Sequence, residues 1–334
     1  MEPGRARGFA IGLFIVAVVG LVVALVGFSP RLLTSTIRKP LTRTPQDVGV
    51  AFKPVEFAPP DVPITLRAWW MPAPHATAAL ILVHGGGGNK SLEWIDGLEL
   101  ARDLVAGGYS VLALDLRNHG ESDAAPDSRV TTGNAEANDV LGAIAYLTQQ
   151  GLAQRFGIVG FSLGGAVALY AAARDPRVEA VVTDGVYVDA RGAALRNAQA
   201  ATGWPASIID LILWSAETFH GYSFKRDSTL DAMSHIQLLP VLLIHNEADP
   251  IVPVDDARHL LSDSLAAQLW VTPAPPRDAP FWREAGPWGT HVRCYHLYPK
   301  EFATRVLAFF DRVFTGPPAS TGKRSPHRRA RGVR

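Results

Sequence analysis

Phe156-Gly157-Ile158-Val159-Gly160-Phe161-Ser162-Leu163-Gly164-Gly165-Ala166-Val167-Ala168-Leu169-Tyr170-Ala171-Ala172-Ala173 is the stretch whose reading decides the fold. A short apolar segment of strand type runs into Gly-x-Ser-x-Gly, and an alanine-rich run of helical character follows. A strand, one serine and a helix at this spacing make a nucleophile elbow, a turn so tight that only small residues fit around the serine. Gly160, Gly164 and Gly165 supply them. The serine hydroxyl then projects beside the positive end of the helix. Alone, the pentapeptide is a weak signal that also reads as a Ser-Gly turn; its setting and the residues downstream give it weight.

The rest of the chain repeats the strand–helix alternation. Apolar strand segments are expected at 50–57, 64–70, Ala79–Val83, Ser110–Asp115, 155–160, 178–183, Val241–His245 and Leu269–Val271. Helical patterns are expected at about 91–106, 134–150, 255–267 and 299–314. Continuous apolar strands such as Ala79–Val83 suit a sheet buried on both faces. The alternation predicts an α/β fold with a mostly parallel central sheet and helices on both faces. Two stretches break the rhythm. Residues 186–237 carry Trp204, Trp214, Phe219, Tyr222 and Phe224, and residues 272–290 carry Phe281, Trp282 and Trp288 among several prolines.

The 334 residues are 48% hydrophobic with a formal net charge of +1, which gives no reason to expect a nucleic-acid partner. Cys294 is the single cysteine, so neither an intrachain disulfide nor a cysteine-rich metal site is expected. Gly8–Phe28 is an uninterrupted apolar run without a charge, long enough at a helical rise to cross a bilayer. It ends without a clear small-x-small cleavage site, so we read residues 1–30 as an uncleaved, single-pass membrane anchor, against a cleaved signal or a core helix. Its flanking charges conflict. Arg31, Arg38, Lys39 and Arg43 argue for a cytoplasmic domain; the short basic N-tail with Arg5 and Arg7 tips the reading slightly towards an extracytoplasmic one. Residues 31–48 read as a linker and 49–315 as the main domain. The arginine-rich tail 316–334 has the composition of a disordered segment.

A nucleophilic serine needs a base, an acid that orients the base, and donors for the oxyanion. Asp249 follows the apolar strand 241–245, where an acid faces the crevice at the strands' C-terminal ends. His291 lies in a loop before the last helix. His296 is a rival base; Asp184 and Glu247 are rival acids. His84-Gly85-Gly86-Gly87-Gly88 ends the third strand, and its free backbone amides suit an oxyanion hole shared with the amide of Leu163. A phosphate loop fits less well, since the spacing matches neither nucleotide fingerprint.

With these residues in view, the chain closely resembles the α/β-hydrolase family over about residues 50–314. Within it, the chain is similar to bacterial membrane-anchored serine hydrolases related to serine aminopeptidases and monoacylglycerol lipases. The matching segments are His84-Gly85, Asp115-Leu116-Arg117-Asn118-His119-Gly120-Glu121-Ser122, the elbow at Ser162, Val241–Asp249 and Gly289–Val292. The resemblance implies a small cap or lid, contributed by the stretches at 186–237 and 272–290. It implies a structural rather than chemical role for Asp115, Arg117 and His119. Two departures stand out: Asn246 replaces a usual glycine, and the gap from Asp249 to His291 is long.

The expectation is a serine hydrolase of a carboxylic ester or amide, with Ser162, Asp249 and His291 as triad, Gly86 and Leu163 as oxyanion donors, and no metal or cofactor. The aromatic-rich lid stretches favour a substrate with a hydrophobic part. An acyltransferase or peptidase on the same triad, or a non-catalytic binding protein on the same fold, remain alternatives.

Overall fold

The computed structural model describes residues 38–224 and 228–315, together with residues 35 and 36 and scattered positions between 12 and 27. The strands are β1 (Lys53–Phe57), β2 (Leu66–Met71), β3 (Ala79–Val83), β4 (Ser110–Leu114), β5 (Phe156–Phe161), β6 (Val178–Asp184), β7 (Val241–Asn246) and β8 (Ala267–Thr272). The domain helices are α1 (Gly97–Ala106), α2 (Ala137–Gln149), α3 (Leu163–Arg174), α4 (Ala190–Thr202), α5 (Ala206–Phe219), α6 (Thr229–His235), α7 (Val254–Ser262), α8 (Phe281–Ala285), α9 (Cys294–Leu297) and α10 (Pro299–Phe314).

The eight strands form one sheet in the order β1-β2-β4-β3-β5-β6-β7-β8. β2 pairs antiparallel with β1 and β4; every pairing from β4 through β8 is parallel. The pleat sends alternate residues of β3 to opposite faces. Ala79, Ile81 and Val83 pack towards α2 and α3, whereas Leu80 and Leu82 pack towards α1 and α10. All five are fully buried, which is why the segment reads as a continuous apolar run. This is the α/β-hydrolase fold expected from the sequence.

Strand positions follow the sequence reading closely; helix ends less so. The helix expected over 255–267 stops at Ser262, and Ala267 already begins β8. Ser264 makes the break: its hydroxyl accepts the amides of Ala266 and Ala267, turning the chain back towards the sheet. The helix expected from residue 91 starts at Gly97. Leu92 and Asp96 both take left-handed backbone conformations around a short 3-10 turn at Glu93–Ile95. Between β6 and β7, residues 186–237 contribute α4, α5 and α6; after β8, residues 272–290 contribute α8 and a 3-10 turn at Gly286–Trp288.

The segment expected as a linker is tied along the domain. Thr36 donates to the Asn118 carbonyl, Arg38 to the Gly120 and Ser122 carbonyls, and Arg43 pairs with Glu99. The apolar run Gly8–Phe28 lies largely outside the described residues. Its described positions are helical, and Leu13, Phe14, Val16 and Val23 among them are exposed. Among the described residues no helix is long and apolar enough to cross a membrane. The tail 316–334 lies outside the described residues.

The elbow leaves no room for a side chain at Gly160 or Gly164. A Cβ on Gly160 would lie 2.1 Å from the Gly164 carbonyl oxygen, and one on Gly164 would lie 2.2 Å from the Val83 carbonyl oxygen. Both neighbours are backbone, which cannot swing aside. Gly164→Ala is therefore expected to cost more than about 4 kcal/mol of stability, as severe overpacking does. Ser162→Ala, which adds no atom, should melt close to the parent. Thermal melts of the two variants check this; a Gly164→Ala protein with parental stability would refute the packing argument.

Candidate active site

Ser162 sits between β5 and α3 with φ 50° and ψ −115°, a strained conformation for a residue with a side chain. The surrounding backbone holds it there. Its amide donates to the Asp184 carbonyl at the end of β6, and its carbonyl accepts the amides of Gly165 and Ala166. The hydroxyl stands at the first turn of α3, where unpaired helix amides concentrate positive potential.

His291 reaches this hydroxyl from the loop between the 3-10 turn and α9. Its Nε2 lies 2.9 Å from Ser162 Oγ, and its Nδ1 lies 2.8 Å from Asp249 Oδ2. Asp249 comes from the loop after β7 and is almost wholly buried. Its other oxygen, Oδ1, accepts the backbone amides of Ile251 and Val252 at 2.8 and 2.9 Å. These two bonds aim the free oxygen at the imidazole and fix Nδ1 as the protonated ring nitrogen. Nε2 is then a lone pair pointing at the serine proton. The three residues singled out in the sequence thus form one continuous chain of hydrogen bonds.

The rivals lie elsewhere. His296 pairs with Asp96 at 2.6 Å, and Glu247 accepts the Ala274 amide at 2.9 Å. Asp184 is buried beneath the site, where Oδ2 accepts the Cys294 amide and Oδ1 has no hydrogen-bond partner. Burial pushes its carboxyl up to about 7, and the neighbouring Asp249 adds to the shift. Asp184 is thus a poor partner for a histidine that must become cationic.

The glycine loop abuts Ser162. A Cβ on Gly85 would lie 3.4 Å from Ser162 Cβ, and one on Gly86 would lie 3.9 Å from Leu163 Cδ2. Leu163 is the first residue of α3, so its amide belongs to the unpaired set at the helix start. The loop is pinned at both ends. His84 Nδ1 donates to the Gly85 carbonyl at 2.7 Å, and its Nε2 accepts the Leu116 amide at 3.1 Å. Burial lowers the His84 pKa to about 4, so it serves as a neutral hydrogen-bonder. At the far end the buried Lys90 ammonium binds Asp115 and Glu121, each at 2.6 Å, and the Lys90 amide donates to Asp115. Arg117 bridges Asp61 and Asp139. The Asp115–Ser122 segment therefore braces the site and touches none of the three aligned residues in a described hydrogen bond.

The two departures noted in the sequence prove to be coupled. The Asn246 side-chain amide donates to Thr272 Oγ1 and to the Pro273 carbonyl, both at 2.8 Å, and its Oδ1 accepts the Ala248 amide. A glycine could not make these bonds. Asn246 ties the turn that carries Asp249 to the start of the long 272–290 segment that delivers His291. That segment also meets the cap, where Trp288 Nε1 donates to Asn197 Oδ1 of α4 at 2.9 Å. Trp94 packs edge-on against Trp288, with the Arg293 guanidinium over its ring. Of the other aromatics, Phe281 is buried, whereas Trp204, Trp214 and Phe219 are exposed.

Sequence reading missed His245. Its Nε2 donates to the Val252 carbonyl at 2.8 Å and lies 3.6 Å from Asp249 Oδ2, so a second ring backs the acid. The only sequence signal is its position four residues before Asp249 at the end of an apolar strand.

Asp184 yields a pH prediction. Its carboxyl stays protonated in the folded protein to about 7, while the unfolded chain loses that proton near the ordinary aspartate value of 3.8. The folded state then binds the extra proton between these limits, so this group's contribution to stability falls as pH rises from about 4 to 7 and levels off above. Asp184→Asn, which keeps an acceptor for the Cys294 amide, should flatten that fall and raise stability at pH 8 relative to the parent. Urea unfolding across pH 4–8 measures it; a parallel pH profile for the two proteins would refute it.

Residues 78–203 match the model of the α/β-hydrolase fold family. The chain is 27% identical over 217 residues to the uncharacterized protein YfhR of Escherichia coli strain K12. That alignment takes in 62% of this chain and 66% of YfhR, just under two thirds of its length. Among solved structures, the chain is similar to the Pyrococcus furiosus esterase Pf2001, with 23% identity, TM-score 0.66, and coverage of 84% of this chain and 100% of the esterase chain. It is also similar to a membrane phospholipase A, a bacterial virulence factor, with 18% identity, TM-score 0.56, and coverage of 93% of this chain and 100% of that one. Sheet order, elbow and matched segment agree: the chain has the α/β-hydrolase fold and resembles the family built on it.

Proposed function

We propose that the protein is a serine hydrolase of carboxylic esters with a hydrophobic acyl or aromatic part, held at a membrane by Gly8–Phe28. The observation that carries the reading is the hydrogen-bond chain from Asp249 through His291 to Ser162, with links of 2.8 and 2.9 Å. His291 Nε2 takes the hydroxyl proton as Ser162 Oγ attacks the substrate carbonyl. Asp249 stabilises the imidazolium that forms. Its two backbone hydrogen bonds hold it oriented for that task. The amides of Leu163 and Gly86 receive the developing oxyanion. His291 returns the proton to the leaving alcohol, and a water activated by the same nitrogen hydrolyses the acyl-enzyme.

Hydrophobic substrates are supported by the aromatics beside the site, Trp94 and Trp288, and by esterase Pf2001 among the structures of similar fold. The membrane reading is supported by the exposed apolar positions Leu13, Phe14, Val16 and Val23, which pack against little of the domain.

A fluorophosphonate probe should label the parent and leave Ser162→Ala unlabelled. Ser162→Ala and His291→Ala should each lose at least about a thousandfold in turnover of a short p-nitrophenyl ester. Asp249→Asn should fall on the order of ten-thousandfold, since the histidine then adopts the wrong tautomer. His296→Ala and Asp184→Asn should stay within a few-fold of the parent. Labelling of a folded Ser162→Ala protein, or a reversed ranking of the histidines, would overturn the assignment.

A further inference from the structure

The outer face of the cap carries an apolar surface that the chemistry of Ser162 does not use. Trp204, Leu211, Trp214 and Phe219 are 43%, 36%, 47% and 62% exposed, and all but Trp204 lie on α5. Trp214 and Phe219 form an edge-to-face pair with ring centroids 5.4 Å apart. Leu211 and Trp214 lie one turn apart on the exposed side of α5, and Phe219 at its last turn packs on Trp214, while Ile209, Ile212, Leu213, Ser215 and Ala216 are buried. The polar flank is tied inward, with Asp210 and Glu217 both held by Arg191. Two tryptophans and a phenylalanine this exposed on one short segment are more than scattered surface hydrophobics account for.

The same helix holds the end of the N-terminal apolar run. The Val26 carbonyl lies 2.6 Å from Ser215 Oγ and 3.1 Å from His220 Nε2, and both groups act as donors to it. Two cap side chains thus converge on one backbone carbonyl of that run. Ser215 is fully buried by the contact region. A second tether follows directly, at Thr36 on Asn118 and Arg38 on Gly120. The eight Cα–Cα steps from Phe28 to Thr36 reach at most about 29 Å when fully extended. The domain is thus held close to the end of the apolar run, with α5 at the junction.

We infer that the outer face of α5, with Trp204 beside it, docks on the surface of the lipid bilayer that holds Gly8–Phe28, so that anchor and cap form one membrane-facing unit. This inference rests on the reading of Gly8–Phe28 as a membrane anchor. Tryptophan and phenylalanine suit the headgroup boundary, where their rings bury while the tryptophan N–H stays hydrated. The docking deepens the proposed function, because the enzyme meets acyl esters that are themselves embedded in the bilayer surface.

The test uses the full chain in phosphatidylcholine–phosphatidylglycerol vesicles. A nitroxide is placed at Leu211→Cys, and, as control, at Gln150→Cys, at the end of α2 that leads into the start of β5; native Cys294 is fully buried and takes no label. Collision with dissolved oxygen and with an aqueous nickel chelate reports depth. The label at 211 should collide preferentially with oxygen and the label at 150 with nickel. Nickel access at 211 equal to that at 150 would place the face in water and overturn the inference. Shielding of 211 from both reagents would mean that protein, such as a second copy of this chain, covers it, and would overturn it equally.

Turnover gives an independent reading. Trp214→Ser combined with Phe219→Ser should lower hydrolysis of a long-chain ester within the vesicles on the order of tenfold, because membrane binding scales with buried apolar area. Hydrolysis of a water-soluble short ester should be unchanged. Equal rates on the vesicle substrate would count against docking. If the parent turns over neither ester, the proposed hydrolase activity fails, while the depth measurement still decides the docking.

Discussion

Three backbones meet within van der Waals contact at the elbow, and the rest of the site depends on that approach. β5, the first turn of α3 and the end of β3 come so close that a single methyl group on Gly160 or Gly164 would overlap a carbonyl. The approach forces Ser162 to φ 50° and presents its hydroxyl at the helix start. It also brings the glycine loop after β3 against the serine, because β3 and β5 are neighbours in the sheet. Ser162 and the glycine loop are therefore placed by one packing event, and neither needs the other's side chain to hold it.

Acid and base are placed by a different device. Asp249 and His291 lie on loops, and loops need ties. Two backbone amides clamp Asp249, Asn246 binds the turn to the Thr272–Pro273 corner, and Trp288 fastens the His291 loop to α4. Electrostatics then separates two nearby carboxyls. Asp249 accepts hydrogen bonds on both oxygens. Asp184, buried with one oxygen unpartnered, has its carboxyl pushed up to about 7 and suits a neutral acid. The two carboxyls near His291 are thus distinguished by burial and hydrogen bonding.

The cap joins the two ends of the molecule. Its inner side reaches the site through α4, where Asn197 meets Trp288. Its outer side meets Val26 of the N-terminal apolar run through Ser215 on α5 and His220 just after it. Residues 36–43, polar enough to read as a free linker, are instead pinned along the domain by side chains bonding to loop carbonyls and to Glu93 and Glu99. Polar composition does not distinguish a free linker from one whose hydrogen bonds are made with a distant loop.

By itself the sequence determined the elements whose signal is local. Ala79–Val83 and Pro299–Phe314 fall where the periodicity puts them, and the elbow is legible because its glycines are adjacent in the chain. The residues of the candidate triad could be named because strand ends and loops are visible as changes of pattern. Tertiary structure alone decided which of His291 and His296 faces Ser162, since five residues of chain place them on different partners, Asp249 and Asp96. It alone separated Asp249 from Asp184, because burial and hydrogen bonding belong to the packed state. It alone brought His245 behind the acid, Asn246 onto Thr272 and α5 onto Val26. Each of these contacts joins groups whose encounter is set by folded geometry, where no periodicity, composition or short motif leaves a trace.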